Sequence, residues 1–120
     1  MMKQVEISKP GGPEVLVLTE AKIPEPKPFE VLIKVISAGI NRPDIVQRQG
    51  NYQPPKEASK IPGLEVSGII EKVGQDVTSF EVGDNVCALV TGGGYAEYCC
   101  APASQTLPIP DGVSIADAAC

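Results

Sequence analysis

Residues 38–52 read AGINRPDIVQRQGNY, and this stretch decides how the chain is arranged. It follows residues 31–38 (VLIKVISA), which are apolar on both faces apart from Lys34 and therefore predict a central strand. Asn41 then predicts a helix N-cap, because its side-chain oxygen can accept a hydrogen bond from a free backbone N–H of the first turn. The stretch thus predicts a strand that leads directly into a short helix.

The predicted helix covers residues 42–49, with Ile45 and Val46 facing the interior. Pro43 is tolerated in the first turn, because its missing N–H would have no helical partner there. Gly50 is typical of a left-handed residue that ends a helix. A helix of this length is unstable in isolation, so we expect packing against the rest of the chain to hold it.

Three polar side chains of this stretch, Asn41, Asp44 and Tyr52, are expected to lie close together. Asp44 suits the positive end of the helix, while Asn41 can cap the helix, donate to a ligand, or do both. Tyr52 is either a plain surface aromatic or a ring that contacts a planar ligand. Glu65 lies in an apolar strand, where a carboxylate pairs with backbone N–H groups or a cation. Arg42 is the candidate cation. A structural role for Glu65 is favoured over acid–base chemistry.

The rest of the chain predicts short strands separated by turns. Gly and Pro each occur 12 times in 120 residues, which favours an all-β fold. A proline-rich connector at residues 23–28 and a bend or bulge at Gly68 interrupt the pattern. The first two strands are expected to pair antiparallel. The further predicted strands are residues 3–7, 15–19, 64–73, 85–90, 95–101 and 106–109.

Composition excludes several classes of partner. The formal net charge of -5 opposes binding to nucleic acid or to an anionic membrane, both of which need basic surfaces. No apolar run approaches the ~18 residues of a membrane span, and no signal peptide is visible. The four cysteines (Cys87, Cys99, Cys100 and Cys120) form no C-x-x-C pair, so we expect reduced thiols and a cytoplasmic location.

The absence of histidine removes Ser-His and Cys-His catalytic pairs, and the cysteines lack the spacing of a zinc site. No glycine-rich phosphate-binding motif is present. Residues 92–94 (GGG) lie between two predicted strands, not before a helix, so they form either a flexible hairpin loop or the rim of a pocket.

Residues 114–117 (SIAD) have the spacing of a capping box, with Asp in place of the usual Glu. The predicted helix has only about six residues before the sequence stops, well below the ~12 that are marginal in isolation. We therefore expect residues 1–112 to form one domain and residues 113–120 to begin a helix that leads to a further domain.

Taken in order, these segments resemble the N-terminal domain of the medium-chain dehydrogenase/reductase superfamily. They are most similar to its zinc-free NADPH quinone oxidoreductases, the zeta-crystallin-like enzymes. This resemblance implies a GroES-like, partly open β-barrel that forms one wall of a cleft, with NADPH held mainly by a Rossmann domain that follows. The stretches that carry it are KPGGPE (9–14), AGINRPD (38–44), QRQGNYQPP (47–55), PGLEVSG (62–68), VGD (82–84), GGGYAEY (92–98) and LPIPDG (107–112).

The resemblance also implies roles for individual residues. It places Asn41 near the nicotinamide ribose and Tyr52 at the nicotinamide and quinone site, so these two are the candidate catalytic residues. Arg42 joins them as a cofactor-binding residue, and Asp44 supports the helix start. The residues implied for the substrate pocket at the cleft mouth are Asp44, Gly93, Gly94 and Tyr95.

Zinc-dependent relatives have a cysteine where this chain has Asn41, and Gly-His-Glu where it has residues 63–65 (GLE), so no zinc is expected. The implied reaction is hydride transfer from NADPH to a quinone or another planar electrophile by a homodimeric enzyme. The 120-residue chain alone is expected to be inactive. An enoyl-thioester or enone reductase and a non-enzymatic GroES-like binding module stay open as alternatives.

Overall fold

The structure, a computed structural model, describes residues 1–56 and 58–120. Residues 51–62 are polar and contain prolines, which predicts a loop, and Glu57 within this stretch lies outside the described residues. One α-helix, α1, spans Arg42–Arg48. The strands are β1 (Met2–Ile7), β2 (Leu16–Ala21), β3 (Glu30–Ala38), β4 (Glu65–Val73), β5 (Asn85–Leu89), β6 (Tyr98–Pro102) and β7 (Thr106–Pro108), and 3-10 turns occur at Pro13–Val15, Ala103–Gln105 and Asp117–Ala119.

The strands form two antiparallel sheets. β1 and β2 pair as a hairpin, which confirms the predicted pairing. The other five strands form one curled sheet in the order β6-β3-β4-β5-β7. This architecture confirms the predicted mainly β, partly open barrel. No helical segment in the described ranges is long and apolar enough to cross a membrane.

The core lies inside the curve of the five-stranded sheet. Val31, Leu32 and Ile33 are consecutive and all fully buried, so β3 is covered on both faces, as its continuous apolar sequence predicts. Ile33 packs with Val66 and Ile70 of β4 in the same hydrophobic cluster. These two interior strands are therefore the fixed frame from which the helix and the loops around it extend.

Gly68 allows β3 and β4 to approach closely at a bulge. The register between the strands shifts between Val35 and Ser37, opposite Gly68. A side chain at this position would collide with the backbone oxygen of Lys34, so glycine is required for the approach. The predicted bend at Gly68 is confirmed.

Residues 95–97 connect the two sheets instead of beginning β6, which corrects the predicted strand at residues 95–101. The N–H of Val5 donates to the backbone oxygen of Tyr95 at 2.8 Å, and the N–H of Glu97 donates to that of Lys3 at 3.0 Å. The hairpin β1–β2 is thereby joined to the segment that precedes β6. Alternation of side chains alone could not show that these residues pair with the first strand.

The C-terminal segment is a 3-10 turn and not the predicted α-helix. Ser114 Oγ accepts a hydrogen bond from the N–H of Asp117 at 3.1 Å, as the capping spacing predicts. The regular helical region is nevertheless only Asp117–Ala119. The buried Ser67 hydroxyl of β4 donates to the backbone oxygen of Ile115, which holds this segment against the sheet.

Candidate functional site

Three residues, 39–41, connect β3 to helix α1, and the last of them is extended. Asn41 has φ -129° and ψ 159° and occupies the N-cap position, and Pro43 lies in the first turn. Asp44 is the buried residue of the helix, with 5% of its surface exposed. Ile45 and Val46, which are predicted to face the interior, are half-buried. The helix instead buries a carboxylate.

Two donors converge on one oxygen of the Asp44 carboxylate. The Tyr95 hydroxyl donates to Asp44 Oδ2 at 2.6 Å. The backbone N–H of Asn41 donates to the same oxygen at 3.0 Å. Burial, followed by the hydrogen bond and the charge of Asp44, raises the pKa of Tyr95 above its ordinary value. Tyr95 is therefore a neutral hydrogen-bond donor, while Asp44 Oδ1 is buried with no partner among the described residues.

The side-chain amide of Asn41 is oriented by β4. Asn41 Nδ2 donates to Glu65 Oε1 at 3.0 Å. Asn41 and Asp44 also have the capping-box arrangement, in which the side chain of each faces the backbone N–H of the other. The N–H of Asp44 in addition donates to the backbone oxygen of Asn41 at 3.0 Å. Even with the cap engaged, the amide keeps one N–H and one oxygen lone pair for a ligand.

The predicted pairing of Glu65 with Arg42 is wrong. Arg42 is exposed, and the single ion pair found in residues 1–56 and 58–120 joins Lys72 to Glu25. A neutral amide thus satisfies the half-buried Glu65 carboxylate. Because the amide carries no charge, only the carboxylate loses hydration, whereas an ion pair at this place would require two charges to be removed from water at a high cost.

The loop that contains Tyr95 is fixed against the segment before β4. Gly94 N–H donates to the backbone oxygen of Gly63 at 3.1 Å, and Tyr95 N–H donates to that of Pro62 at 3.0 Å. Gly63 has φ +105°, and a Cβ there would lie 2.7 Å from Gly94 Cα and from Tyr95 N. Only glycine combines this backbone conformation with such a close approach.

Asn41, Asp44, Glu65 and Tyr95 form what we call the polar network. Residue types alone did not predict the bonds from Asn41 to Glu65 and from Tyr95 to Asp44, because each joins separate parts of the chain. The sequence nevertheless indicated that such bonds exist. Glu65 lies in an otherwise apolar strand and Asp44 lies in a capped helix turn, and a carboxylate in either place needs a hydrogen-bond donor.

The other predicted site residues lie outside this network. Tyr52 is 39% exposed, and its hydroxyl has no hydrogen bond within the described part of the chain. Gly93 donates through its N–H to the backbone oxygen of Ile61 at 2.7 Å. It lines a cavity of about 440 Å³, together with Cys99 and other residues but none of the polar network. The structure therefore joins Asn41 and Asp44 with Tyr95, but it does not join Tyr52, Arg42 or Gly93 to them.

The other end of α1 docks on the loop between β1 and β2. Arg48 Nε donates to the backbone oxygen of Gly11 at 3.1 Å, and the N–H of Gly11 donates to the backbone oxygen of Arg48 at 3.0 Å. Gln47 Nε2 also donates to the backbone oxygen of Lys60 at 3.2 Å. Gly50 has φ +85°, which confirms the predicted left-handed residue after the helix.

Two of the cysteines, Cys99 and Cys100, are not reactive thiols. All four are free. Burial, and then the charges of Cys100 and Glu30, raise the pKa of Cys99 to about 12. Burial, and then the charges of Glu30 and Glu25, raise the pKa of Cys100 to about 12. A thiol with so high a pKa is almost entirely protonated near neutral pH and is a poor nucleophile.

The sequence pattern of the alcohol dehydrogenase GroES-like domain matches residues 27–111. The chain belongs to this family of GroES-like domains, as its motifs predict. Its homologues include proteins named quinone oxidoreductase, such as that of Sus scrofa. The chain is 41% identical to the Sus scrofa protein over 113 residues, which cover 92% of this chain and 34% of that protein.

Solved structures show the same relationship. The human synaptic vesicle membrane protein VAT-1 homolog-like protein is 39% identical, with a TM-score of 0.90 over 98% of this chain and 38% of that one. Escherichia coli quinone oxidoreductase complexed with NADPH is 32% identical, with a TM-score of 0.88 over 98% of this chain and 36% of that one. The chain spans 28% to 34% of the length of curated relatives that it matches.

Proposed function

We propose that this chain is the substrate-side domain of an NADPH-dependent quinone oxidoreductase. The observation that carries the proposal is the Asn41 amide, held by Glu65 at the start of α1 with hydrogen-bonding capacity left for a ligand. The relatives named quinone oxidoreductase support this choice of reaction. Further support is that both carboxylates of the network already accept hydrogen bonds within it: Asp44 from Tyr95 and Asn41, and Glu65 from Asn41.

We propose that the reaction needs no zinc. Zinc binds thiolate, imidazole and carboxylate groups, and a catalytic site supplies three of them. Asn41 offers a neutral amide, and Leu64 offers only an alkyl side chain. No cluster of three or more His, Cys, Asp or Glu residues that could hold a metal ion occurs in the ranges that the structure describes. This donor set does not fit zinc.

The residues around the start of α1 do fit a nicotinamide nucleotide. Asn41 would bind the ribose through its remaining N–H and lone pair, the exposed Arg42 would contact an anionic group, and the exposed ring of Tyr52 would contact the nicotinamide. NADPH, when bound, supplies the hydride. The chain's own residues would hold a planar quinone in contact with the cofactor, exclude water, and donate a hydrogen bond from Asn41 or Tyr52 to the quinone oxygen as it gains negative charge.

The accompanying properties are proposals as well. The sequence contains no G-x-G-x-x-G, so we expect the 120-residue chain to bind NADPH poorly and to be inactive by itself. We propose residues 1–112 as the GroES-like domain and residues 113–120 as the connection to a nucleotide-binding domain. The active protein would be a cytoplasmic homodimer, and the four free cysteines support a reducing compartment.

The test uses the longest polypeptide that the gene encodes, with NADPH and a panel of quinones. Asn41→Ala and Tyr52→Phe should each lower kcat/KM by roughly 10- to 100-fold, as loss of one hydrogen-bond donor to a developing oxyanion does. Tyr98→Phe is the control, because this phenol has no hydrogen-bond partner among the described residues. Unchanged kinetics in both variants would overturn the site assignment.

Substrate choice separates the remaining classes. An enone reductase would act on enoyl thioesters in preference to quinones, and Tyr52→Phe would abolish that activity, because protonation of carbon requires a general acid. A polypeptide that reduces neither class would overturn the enzyme assignment and favour a binding module.

A further inference from the structure

We propose that Tyr95 is a positioning residue for Asn41, and that it acts through Asp44 without touching the cofactor or the substrate. The starting observation is that the polar network links three separate parts of the chain. Asn41 and Asp44 lie at the start of α1, Glu65 begins β4, and Tyr95 precedes β6. The orientation of the Asn41 amide therefore depends on residues distant in sequence.

The network is closed and not a simple chain of contacts. Starting at Asn41, its amide binds Glu65 and its backbone N–H binds Asp44, which in turn binds the Tyr95 hydroxyl. The closing link is the backbone pairing of Gly94 with Gly63, because these residues are close neighbours of Tyr95 and Glu65 in the sequence. Loss of one link therefore changes the constraint on every other member.

Asp44 is the point at which this network is most sensitive. Its Oδ2 accepts both hydrogen bonds, while its buried Oδ1 has no partner among the described residues. A buried carboxylate needs donors, because it has lost its hydration. Without the Tyr95 hydroxyl, one backbone N–H would be its remaining donor. Asp44 would then turn toward water and release the N–H of Asn41, so the constraint on the amide would weaken.

Tyr98 provides a matched control, because it is the same residue type and lies three positions after Tyr95. Tyr95 and Tyr98 are both half-buried, and both lie in the segment that runs into β6. Only the Tyr95 hydroxyl bonds to another side chain within the described residues. A comparison of Tyr95→Phe with Tyr98→Phe therefore separates the loss of the bond to Asp44 from the loss of a phenolic oxygen as such.

The first experiment uses nitrogen-15 NMR of the 120-residue chain and needs no assumption about function. Tyr95→Phe should shift the Asn41 side-chain amide resonances and speed exchange of the Asn41 backbone N–H by roughly 3- to 10-fold, as expected for loss of one hydrogen bond. Tyr98→Phe should change neither. Asp44→Ala should change Asn41 in the same direction, and Asp44→Ala combined with Tyr95→Phe should add little to Asp44→Ala, because both substitutions remove the bond from Tyr95 to Asp44.

The kinetic experiment rests on the proposed function and uses the longest polypeptide that the gene encodes. Tyr95→Phe should lower kcat for quinone reduction by roughly 3- to 10-fold with a smaller change in the KM for quinone, because the amide is misplaced while the pocket stays intact. Unchanged Asn41 resonances in both Tyr95→Phe and Asp44→Ala would overturn the positioning role. Altered resonances in a polypeptide without quinone reductase activity would overturn the proposed function and leave the positioning role supported.

Discussion

The two ends of helix α1 are held in different ways. At the N-terminal end, side chains from β4 and from the segment before β6 bind Asn41 and Asp44. At the C-terminal end, Arg48 bonds to the backbone of Gly11, and the chain then continues to the exposed Tyr52. One end is thus fixed by side-chain bonds around a buried carboxylate, and the other is fixed by bonds to the backbone of one loop.

Because of this difference, side chains at the first end have a closely defined position, whereas the ring after the second end is accessible. A buried hydrogen-bonded network defines the position of a side chain closely, because any departure leaves a polar group without a partner. An exposed ring after the helix is free to adjust to a ligand. The comparison suggests that Asn41 supplies fixed geometry and Tyr52 supplies adaptable contact. Three predictions test the strength of the fixed end, in order of decreasing effect.

The largest effect is expected at the close approach that supports the N-terminal end. Gly63→Ala should lower the free energy of unfolding by roughly 2–5 kcal/mol, because it combines an unfavourable φ with a collision against Gly94 and Tyr95. Urea unfolding followed by circular dichroism measures this loss. Gly83→Ala is the matched control, since Gly83 has φ +96° and a Cβ added there would meet no atom within 4 Å. Equal losses in the two variants would show that the contact at Gly63 contributes nothing.

A direct comparison of the two ends should show a smaller effect. Asp44→Ala should cost about 1–3 kcal/mol, because it removes the helix cap and leaves two donors without their acceptor. Arg48→Ala should cost about 0.5–1 kcal/mol, because it removes one part-buried hydrogen bond while the backbone bond from Gly11 remains. The same urea experiment measures both. A larger loss for Arg48→Ala would reverse the assignment of the fixed end.

The smallest effect concerns pH. The pKa of Tyr95 is raised above its ordinary value of 10.0 by burial and by Asp44. Above that pH the unfolded chain loses this proton while the folded chain keeps it, so the free energy of unfolding falls as pH rises. Tyr95→Phe should make this fall shallower between about pH 9 and about pH 11 when urea midpoints are compared. The raised pKa values of Cys99 and Cys100 also make the free energy of unfolding fall with pH, so part of the fall should remain in Tyr95→Phe. Identical pH dependence of the urea midpoint in Tyr95→Phe and the unchanged protein would contradict the Tyr95 contribution.

Much of the fold could be predicted because its signals are local. The apolar run of β3, the glycine at the bulge in β4, and the Pro43 and Gly50 that bound α1 each act within a few residues. Periodicity and turn chemistry therefore located these elements to within one or two residues. The segment at residues 95–97 was placed wrongly, because its partner is the distant strand β1.

The site was less predictable, because its geometry depends on tertiary contacts. Asn41 and Glu65 are separated by 24 positions, and Asp44 and Tyr95 by 51. Charge alone suggested Arg42 as the partner of Glu65, but the neutral Asn41 amide binds that carboxylate instead. The 38–52 stretch predicted that Asn41 and Asp44 lie close together, yet only the packing of the loops shows which atoms meet.

The shortness of α1 has a consequence for the order of folding. Its seven residues cannot persist as an isolated helix, and its partners at Glu65 and Tyr95 arrive only after distant segments have come together. The helix should consequently be absent from the folding nucleus, which we expect in the extensive apolar pairing of β3 with β4. The surface proposed to meet the cofactor would then be among the last parts of the domain to become ordered during refolding, and among the first to be lost on unfolding.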